Sequence, residues 1–305
     1  MKQNEASITA LVSAFSRAYH SQHDQPIIFN DYIAKDLLTE KEFSMISENM
    51  INGIQFFNKG IAERFKDQPE EILRWITQVQ LSPTPLARAA FCEKVLLNEV
   101  NLGLEQYVIL GAGFDTFCFR YPELENRVEV FEVDHPSSQE VKIKKISYAG
   151  LKKPDNLYFV PMDFTKKFSY QNLMENGFDK NKKAFFSLLG VSYYLTKEEN
   201  SNLVKHLFAN LPPGSSIVFD YADETLFKAK GISNRVENMV KMAAAGGEPM
   251  KSSFTNHEIQ TMLEEAGLLI YEHLAPDAIQ GRFFKGRTDY FSAFETINFV
   301  HAVKR

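Results

Sequence analysis

At 305 residues the chain can bury one large core or two smaller ones, and its 44% hydrophobic and 24% charged residues are ordinary for a water-exposed globular protein. A net charge of −5 and a pI near 5.9 argue against bulk binding to nucleic acid or to an anionic membrane surface. No apolar run reaches the roughly 18 to 20 residues of a membrane helix, Met1 to Thr9 has no signal-peptide core, and Cys92 and Cys118 form neither a disulfide framework nor a metal-ligand spacing; a cytoplasmic protein is the expectation.

Ile8, Leu11, Val12, Phe15, Ala18 and Tyr19 recur at helical spacing, with Ser7 as a cap, and predict a helix over 7–20. Further helices are expected over 31–38, 40–66 and 70–80, the last ending before Pro83-Thr84-Pro85. A helix then runs from Leu86 to about Asn98 with Arg88 in its first turn. Residues 1–84 therefore read as a helical cap and 85–305 as a second, larger unit. Within it strands are expected at 106–110, 128–133, 157–162, 184–190, 215–221, 268–274 and 293–303, with helices near 115–120, 137–149, 169–176, 197–210 and 255–266. That alternation predicts an α/β fold with a doubly wound, seven-stranded Rossmann-like sheet. The last two strands read as a hairpin-type ending. The insertion at 222–253 is long for a connection and is expected to cover a site.

The chemistry gathers around Tyr107-Val108-Ile109-Leu110-Gly111-Ala112-Gly113-Phe114-Asp115-Thr116. A short apolar run entering glycines reads as a buried strand, a tight turn and a helix start, where a ligand can approach bare backbone. Asp134 ends the next strand, 23 positions after Gly111, where a carboxylate can accept from both ribose hydroxyls; Glu132 is the alternative acid. Asp163, followed by Phe164, ends the third strand, where a carboxylate and a ring suit an adenine base; a helix cap is the competing reading. Arg88 precedes the first strand and can grip a carboxylate bidentately, or be a solvated helix charge. Two features disfavour a nicotinamide dehydrogenase. Thr116 stands where the dinucleotide fingerprint needs its third small residue, and Arg88 has no work beside a pyrophosphate. It does if the ligand ends in an amino-acid carboxylate, as S-adenosylmethionine does.

Five ordered segments carry a more specific resemblance: Ala87-Arg88-Ala89-Ala90-Phe91, Val108 to Thr116, Phe131-Glu132-Val133-Asp134-His135-Pro136, Phe159-Val160-Pro161-Met162-Asp163-Phe164, and Gly190-Val191-Ser192-Tyr193-Tyr194-Leu195-Thr196. Together they resemble the leucine carboxyl methyltransferase family, from about Arg17 to the C-terminus, with Phe29-Asn30-Asp31-Tyr32 echoing its entry segment. The family includes protein phosphatase carboxyl methyltransferases and bacterial enzymes that O-methylate polyketides and other small molecules. The resemblance implies a class I methyltransferase sheet and S-adenosylmethionine as cofactor. Arg88 would hold the methionine carboxylate and the Gly111–Gly113 turn would lie under the methionine part. Asp134 would take the ribose, and Asp163 with Phe164 the adenine. One position departs from the family: Leu189 stands where a glutamate usually lies beside the cofactor. That departure also suggests a rival, a binding protein that keeps the pocket without catalysis.

Histidines never reach metal-ligand spacing, and Ser137-Ser138 reads as a helix cap. The run Arg282 to Arg287 reads as a solvated loop. Tyr193 and Tyr194 follow the fourth strand, where a methyl acceptor would lie, one facing the pocket and the other the core. Large apolar residues of the cap (Phe15, Tyr19, Ile28, Phe29, Phe43, Phe56, Phe57, Phe65) and of the insertion (Leu226, Phe227, Met239, Met242) are expected to divide between core and an apolar chamber. The expected substrate is a small, largely apolar acceptor with a carboxyl or phenolic oxygen; a protein C-terminus is the alternative.

Overall fold

In the computed structural model, which describes residues 8–163 and 168–305, seven strands form one sheet. They are β1 (Gln106–Leu110), β2 (Glu129–Asp134), β3 (Leu157–Pro161), β4 (Ala184–Leu188), β5 (Ser216–Ala222), β6 (Leu268–Leu274) and β7 (Ile297–Lys304). Their order is β3-β2-β1-β4-β5-β7-β6; β1 to β5 are parallel, and β7 runs antiparallel between β5 and β6, the hairpin-type ending expected. Both faces of the central strands are covered. Val108, Leu110, Phe131 and Val133 enter one apolar cluster, while Tyr107, Ile109 and Val130 enter another. A strand buried on both sides must be apolar throughout, which explains the unbroken runs. From β1 the chain winds outward through β2 and β3, then returns to lay β4 on the other side of β1. The strand order reverses there, opening a crevice at the carboxyl ends of β1 and β4.

Helix α1 (Ile8–His23) begins the cap. The single helix expected over 40–66 is three: α2 (Glu40–Asn52), α3 (Ile54–Phe57) and α4 (Lys59–Arg64). Gly53 ends the first, and the Asn58 side chain accepts the Ile61 N–H at 3.1 Å, starting α4 at the expense of continuity. Helix α5 (Pro69–Ile76) runs into a π-helical turn at 77–81, and α6 (Pro83–Asn101) follows at once. Pro83 and Pro85 lie inside the first turn of α6 rather than before it. Proline is tolerated there because a first-turn N–H has no intrahelical acceptor to lose.

The remaining helices are α7 (Phe117–Arg120), α8 (Pro136–Tyr148), α9 (Tyr170–Glu175), α10 (Lys197–Phe208), α11 (Arg235–Ala245) inside the 222–253 insertion, α12 (Asn256–Glu265) and α13 (Pro276–Ile279). The cap of α8 is His135, whose Nδ1 accepts the Ser137 N–H, rather than the serines themselves. A third apolar cluster, with Phe15, Leu37, Phe57, Phe65 and Trp75, holds the cap together and takes in Phe114 of the glycine turn and Ile146 of α8. The cap thus packs directly onto the turn after β1. Among the described residues no helix is long and apolar enough to cross a membrane.

Candidate active site

The crevice at the ends of β1 and β4 is a cavity of about 250 Å³ lined by the glycine turn, Asp134, Arg88 and the inner face of α1. Gly111 and Gly113 both have positive φ, +74° and +51°. A Cβ at Gly111 would lie 2.5 Å from Val191 Cγ2, so this floor is closed to any side chain. The Gly113 N–H donates to Asp134 Oδ2 at 2.6 Å, and the His135 N–H to Oδ1 at 2.6 Å. Burial pushes the Asp134 pKa up against the pull of these two donors. Two N–H bonds leave carboxylate lone pairs free to accept hydroxyls from the cavity.

Two positions earlier on the same strand, Glu132 lies deeper in the sheet and is engaged elsewhere. It is fully buried, ion-paired to Lys142 of α8, and outside the lining of the cavity; burial pushes its pKa up to about 7. Depth along the strand and the Lys142 ion pair, not the face of the sheet, separate the two acids.

Arg88 enters the same cavity from α6. Its Nη1 donates to Asp220 Oδ2 at 2.9 Å, and although burial disfavours the charge, Asp220 raises its pKa further. Asp220 ends the apolar run of β5 and also accepts the Gly190 N–H at 2.6 Å and the Tyr193 hydroxyl. Gly190, at φ +72°, has no room for a side chain: a Cβ there would sit 2.4 Å from Arg88 Nη2. With one N–H engaged by Asp220, the guanidinium keeps donors for an anionic ligand.

The cap is tied to the turn by a buried ionic chain that inspection of the sequence did not find. Arg17 donates to Asp31 at 2.8 Å and to the Phe114 carbonyl at 2.7 Å. Asp31 accepts the Thr116 hydroxyl at 2.6 Å, Arg120 Nε donates to that hydroxyl at 2.9 Å, and Arg120 pairs with Glu93. Burial alone would raise the Asp31 pKa, but Arg17, Arg120 and Thr116 hold it below the usual range. Thr116, read in the sequence as a departure from the dinucleotide fingerprint and, with Asp115, as a candidate helix cap, joins the two halves of this chain; the Phe117 N–H is taken by Asp115 instead, at 2.8 Å.

Beside the cavity lies an apolar chamber of about 170 Å³ whose walls include Val12, Leu81, Met239, Met242, Met250 and Phe294. The two share Thr9, Ser13, Pro85, Arg88, Gly190 and Tyr194. Both tyrosines line the chamber, but only Tyr194 also reaches the first cavity, and burial raises the pKa of each phenol. Met239 and Met242 are walls as expected from the insertion. Of the cap residues, Phe15, Phe57 and Phe65 are core, Phe29 lines the first cavity, and Phe56 is exposed, as is Phe227 of the insertion. Thr9 Oγ1 donates to Glu248 at 2.8 Å, so α1 and the insertion meet across the opening.

A model of the leucine carboxyl methyltransferase family matches residues 10–208, which include the glycine turn, Arg88 and Asp134. The chain belongs to this family. A protein of Bacillus subtilis (strain 168), which carries the provisional name S-adenosyl-L-methionine-dependent methyltransferase YktD, is 66% identical over 305 residues, covering 100% of both chains. A similarly named protein of Mycobacterium tuberculosis (strain ATCC 25177 / H37Ra) is 25% identical over 251 residues, covering 81% of this chain and 75% of its own. Among solved structures, a DUF574-family protein from Streptomyces avermitilis superposes with a TM-score of 0.57 at 13% identity, covering 99% of each chain, a likeness of fold alone.

Against the leucine carboxyl methyltransferase pattern, Leu189 lines the cavity as a partly buried apolar residue. Glu248, from the insertion, lines the same cavity and is an acid no sequence motif marked. Asp163 is half-buried just past β3 and is not among the described residues lining the cavity; Phe164 lies outside the described residues. Asp220 lies inside β5, followed by Tyr221 and Ala222, and carried no strand-end signal of the kind Asp134 did.

Proposed function

We propose that this S-adenosylmethionine-dependent methyltransferase passes its methyl group to a carboxyl or phenolic oxygen of a small, largely apolar acceptor. The observation that carries the reading is the apolar chamber opening into the polar cavity along Arg88, Gly190 and Tyr194.

The residues fit the cofactor. The side-chain-free floor at Gly111 and Gly113 suits the methionine part, Asp134 has lone pairs for ribose hydroxyls, and Arg88 has donors for a carboxylate. Asp163 and Phe164 remain the proposed adenine contacts. With leucine at position 189, Glu248 is the proposed partner for the ammonium group, since it lines the cavity beside Thr9 and Tyr194. S-adenosylmethionine supplies an electrophilic methyl group on a sulfonium.

What the chain supplies is alignment and exclusion of water. The chamber holds the apolar body of the acceptor, and the hydroxyls of Thr9, Ser13 and Tyr194 with the Arg88 guanidinium direct its oxygen toward the junction. A carboxylate arrives already nucleophilic, so positioning supplies most of the rate and no base is required. Methyl transfer from labelled cofactor, measured against small apolar acids, phenols and a phosphatase-like C-terminal peptide with its parent protein, tests the substrate class. Labelling of small acceptors is expected. Labelling of peptide or protein alone would overturn the choice of acceptor and leave methyl transfer standing.

A further inference from the structure

A third cavity, of about 370 Å³, lies at the opposite ends of the parallel strands, where Lys183 precedes β4, Gly214 precedes β5, and His301 and Val303 of β7 face the C-terminal half of α6. It shares no lining residue with the two cavities of the active site. Along α6, Glu99 of this cavity is eleven residues from Arg88, roughly 16 Å at the rise of an α-helix.

Two features mark it as a built site. His301 is 4% exposed, and its Nε2 is buried with no hydrogen-bond partner among the described residues. Buried polar atoms in folded proteins are almost always satisfied, so an orphan on a residue that lines a cavity points to a missing partner. The nearest carboxylate oxygen, Glu99 Oε1, is 3.9 Å away, too far for a direct bond. Burial drops the His301 pKa to about 4, which leaves the ring neutral and able to donate one N–H at physiological pH. The second feature is the distribution of charge. Arg282 is paired with Glu272 at 2.5 Å, and Lys183 acts on Glu99, whereas Lys94 on the rim has no ion-pair partner among the described residues. The walls are aromatic: Tyr271 meets His301 edge to face at 5.3 Å, and Phe91 lies beneath the Arg282 guanidinium.

We propose that this cavity is a second small-molecule site, and that it takes a hydroxylated aromatic acid. The ligand's hydroxyl sits between His301 Nε2 and Glu99, accepting from the ring and donating to the carboxylate. Its carboxylate reaches Lys94, and its flat body lies against Tyr271 and Phe91. The site is independent of methyl transfer, so its ligand need not be the acceptor.

The test uses the full chain saturated with S-adenosylhomocysteine, and 4-hydroxybenzoate as the probe, followed by calorimetry and by the NMR signals of the His301 ring. Saturable binding is expected, with benzoate, which lacks the hydroxyl, at least tenfold weaker. His301→Phe and Lys94→Glu should each weaken 4-hydroxybenzoate at least tenfold, while Met239→Trp, in the acceptor chamber, leaves it unchanged. Lys94 is exposed, so Lys94→Glu keeps the test decisive if His301→Phe fails to fold. Absence of saturable binding, indicating water alone in the cavity, would overturn the proposal. So would binding that survives Lys94→Glu, or binding abolished by Met239→Trp, which would put the probe in the acceptor chamber.

Discussion

The cavity proposed for the cofactor takes its floor from Gly111 and Gly113 and its acid from Asp134, all within one strand–helix–strand stretch, whereas the chamber beside it gathers Val12, Leu81, Tyr194, Met239 and Phe294 from the whole length of the chain. The first is the more polar of the two and set by backbone geometry that few residues can adopt. The second is apolar and set by packing that many side chains could satisfy. Substitutions should therefore act steeply and specifically in the cavity, and gradually and by volume in the chamber.

The largest effect should fall on a residue that serves neither. Lys142→Met leaves Glu132 buried without its counter-charge and should cost about 3–5 kcal/mol of stability by denaturant unfolding. Cofactor affinity of the folded fraction should hold, because Glu132 lies outside the cavity. The raised pKa of Glu132 also makes stability depend on pH. The folded chain keeps a proton that the unfolded chain releases above about 4.5, so this group favours the folded state at acid pH and loses that contribution as pH rises through about 7. Glu132→Gln should flatten that part of the stability profile.

Gly190→Ala comes next. The added Cβ would sit 2.4 Å from Arg88 Nη2 at a φ of +72°, and displacing the guanidinium should cost roughly 2–4 kcal/mol, split between stability and cofactor affinity. Calorimetric titration with S-adenosylhomocysteine and unfolding of the same sample apportion the two. Asp134→Ala should weaken the cofactor by about 1–3 kcal/mol; a larger loss from Glu132→Ala in the same titration would assign the role to the wrong acid. The smallest effect belongs to the chamber. Met239→Ala should raise the acceptor KM by a factor corresponding to about 1 kcal/mol and leave the cofactor dissociation constant alone. Equal losses for acceptor and cofactor would erase the contrast between the two spaces.

What could be read in advance follows the same division. The β1 turn, the acid that ends β2 and the arginine ahead of β1 announce themselves through short-range pattern, and the structure gathers them around one cavity. Asp220 needed knowledge of a partner 132 positions away, and the Arg17–Asp31–Thr116–Arg120–Glu93 chain joins three separate segments. A charged residue looks the same in sequence whether it is solvated or buried against its opposite. The break of 40–66 into three helices has a related origin: Gly53 ends the first, and at the second break apolar periodicity continues across Asn58, where the side-chain cap, which competes with the helix, stops it.

Helix α1 contributes Thr9, Ala10, Ser13 and Arg17 to the wall of the cavity proposed for the cofactor, opposite a turn about a hundred positions later in the chain. A molecule bound between them is a fastener: it must be released before either side can open alone. Binding should then merge the opening of α1 with that of the sheet, a change in cooperativity rather than in contact. Amide exchange along Ile8–His23 would register it as protection that climbs, on adding S-adenosylhomocysteine, toward that of β1.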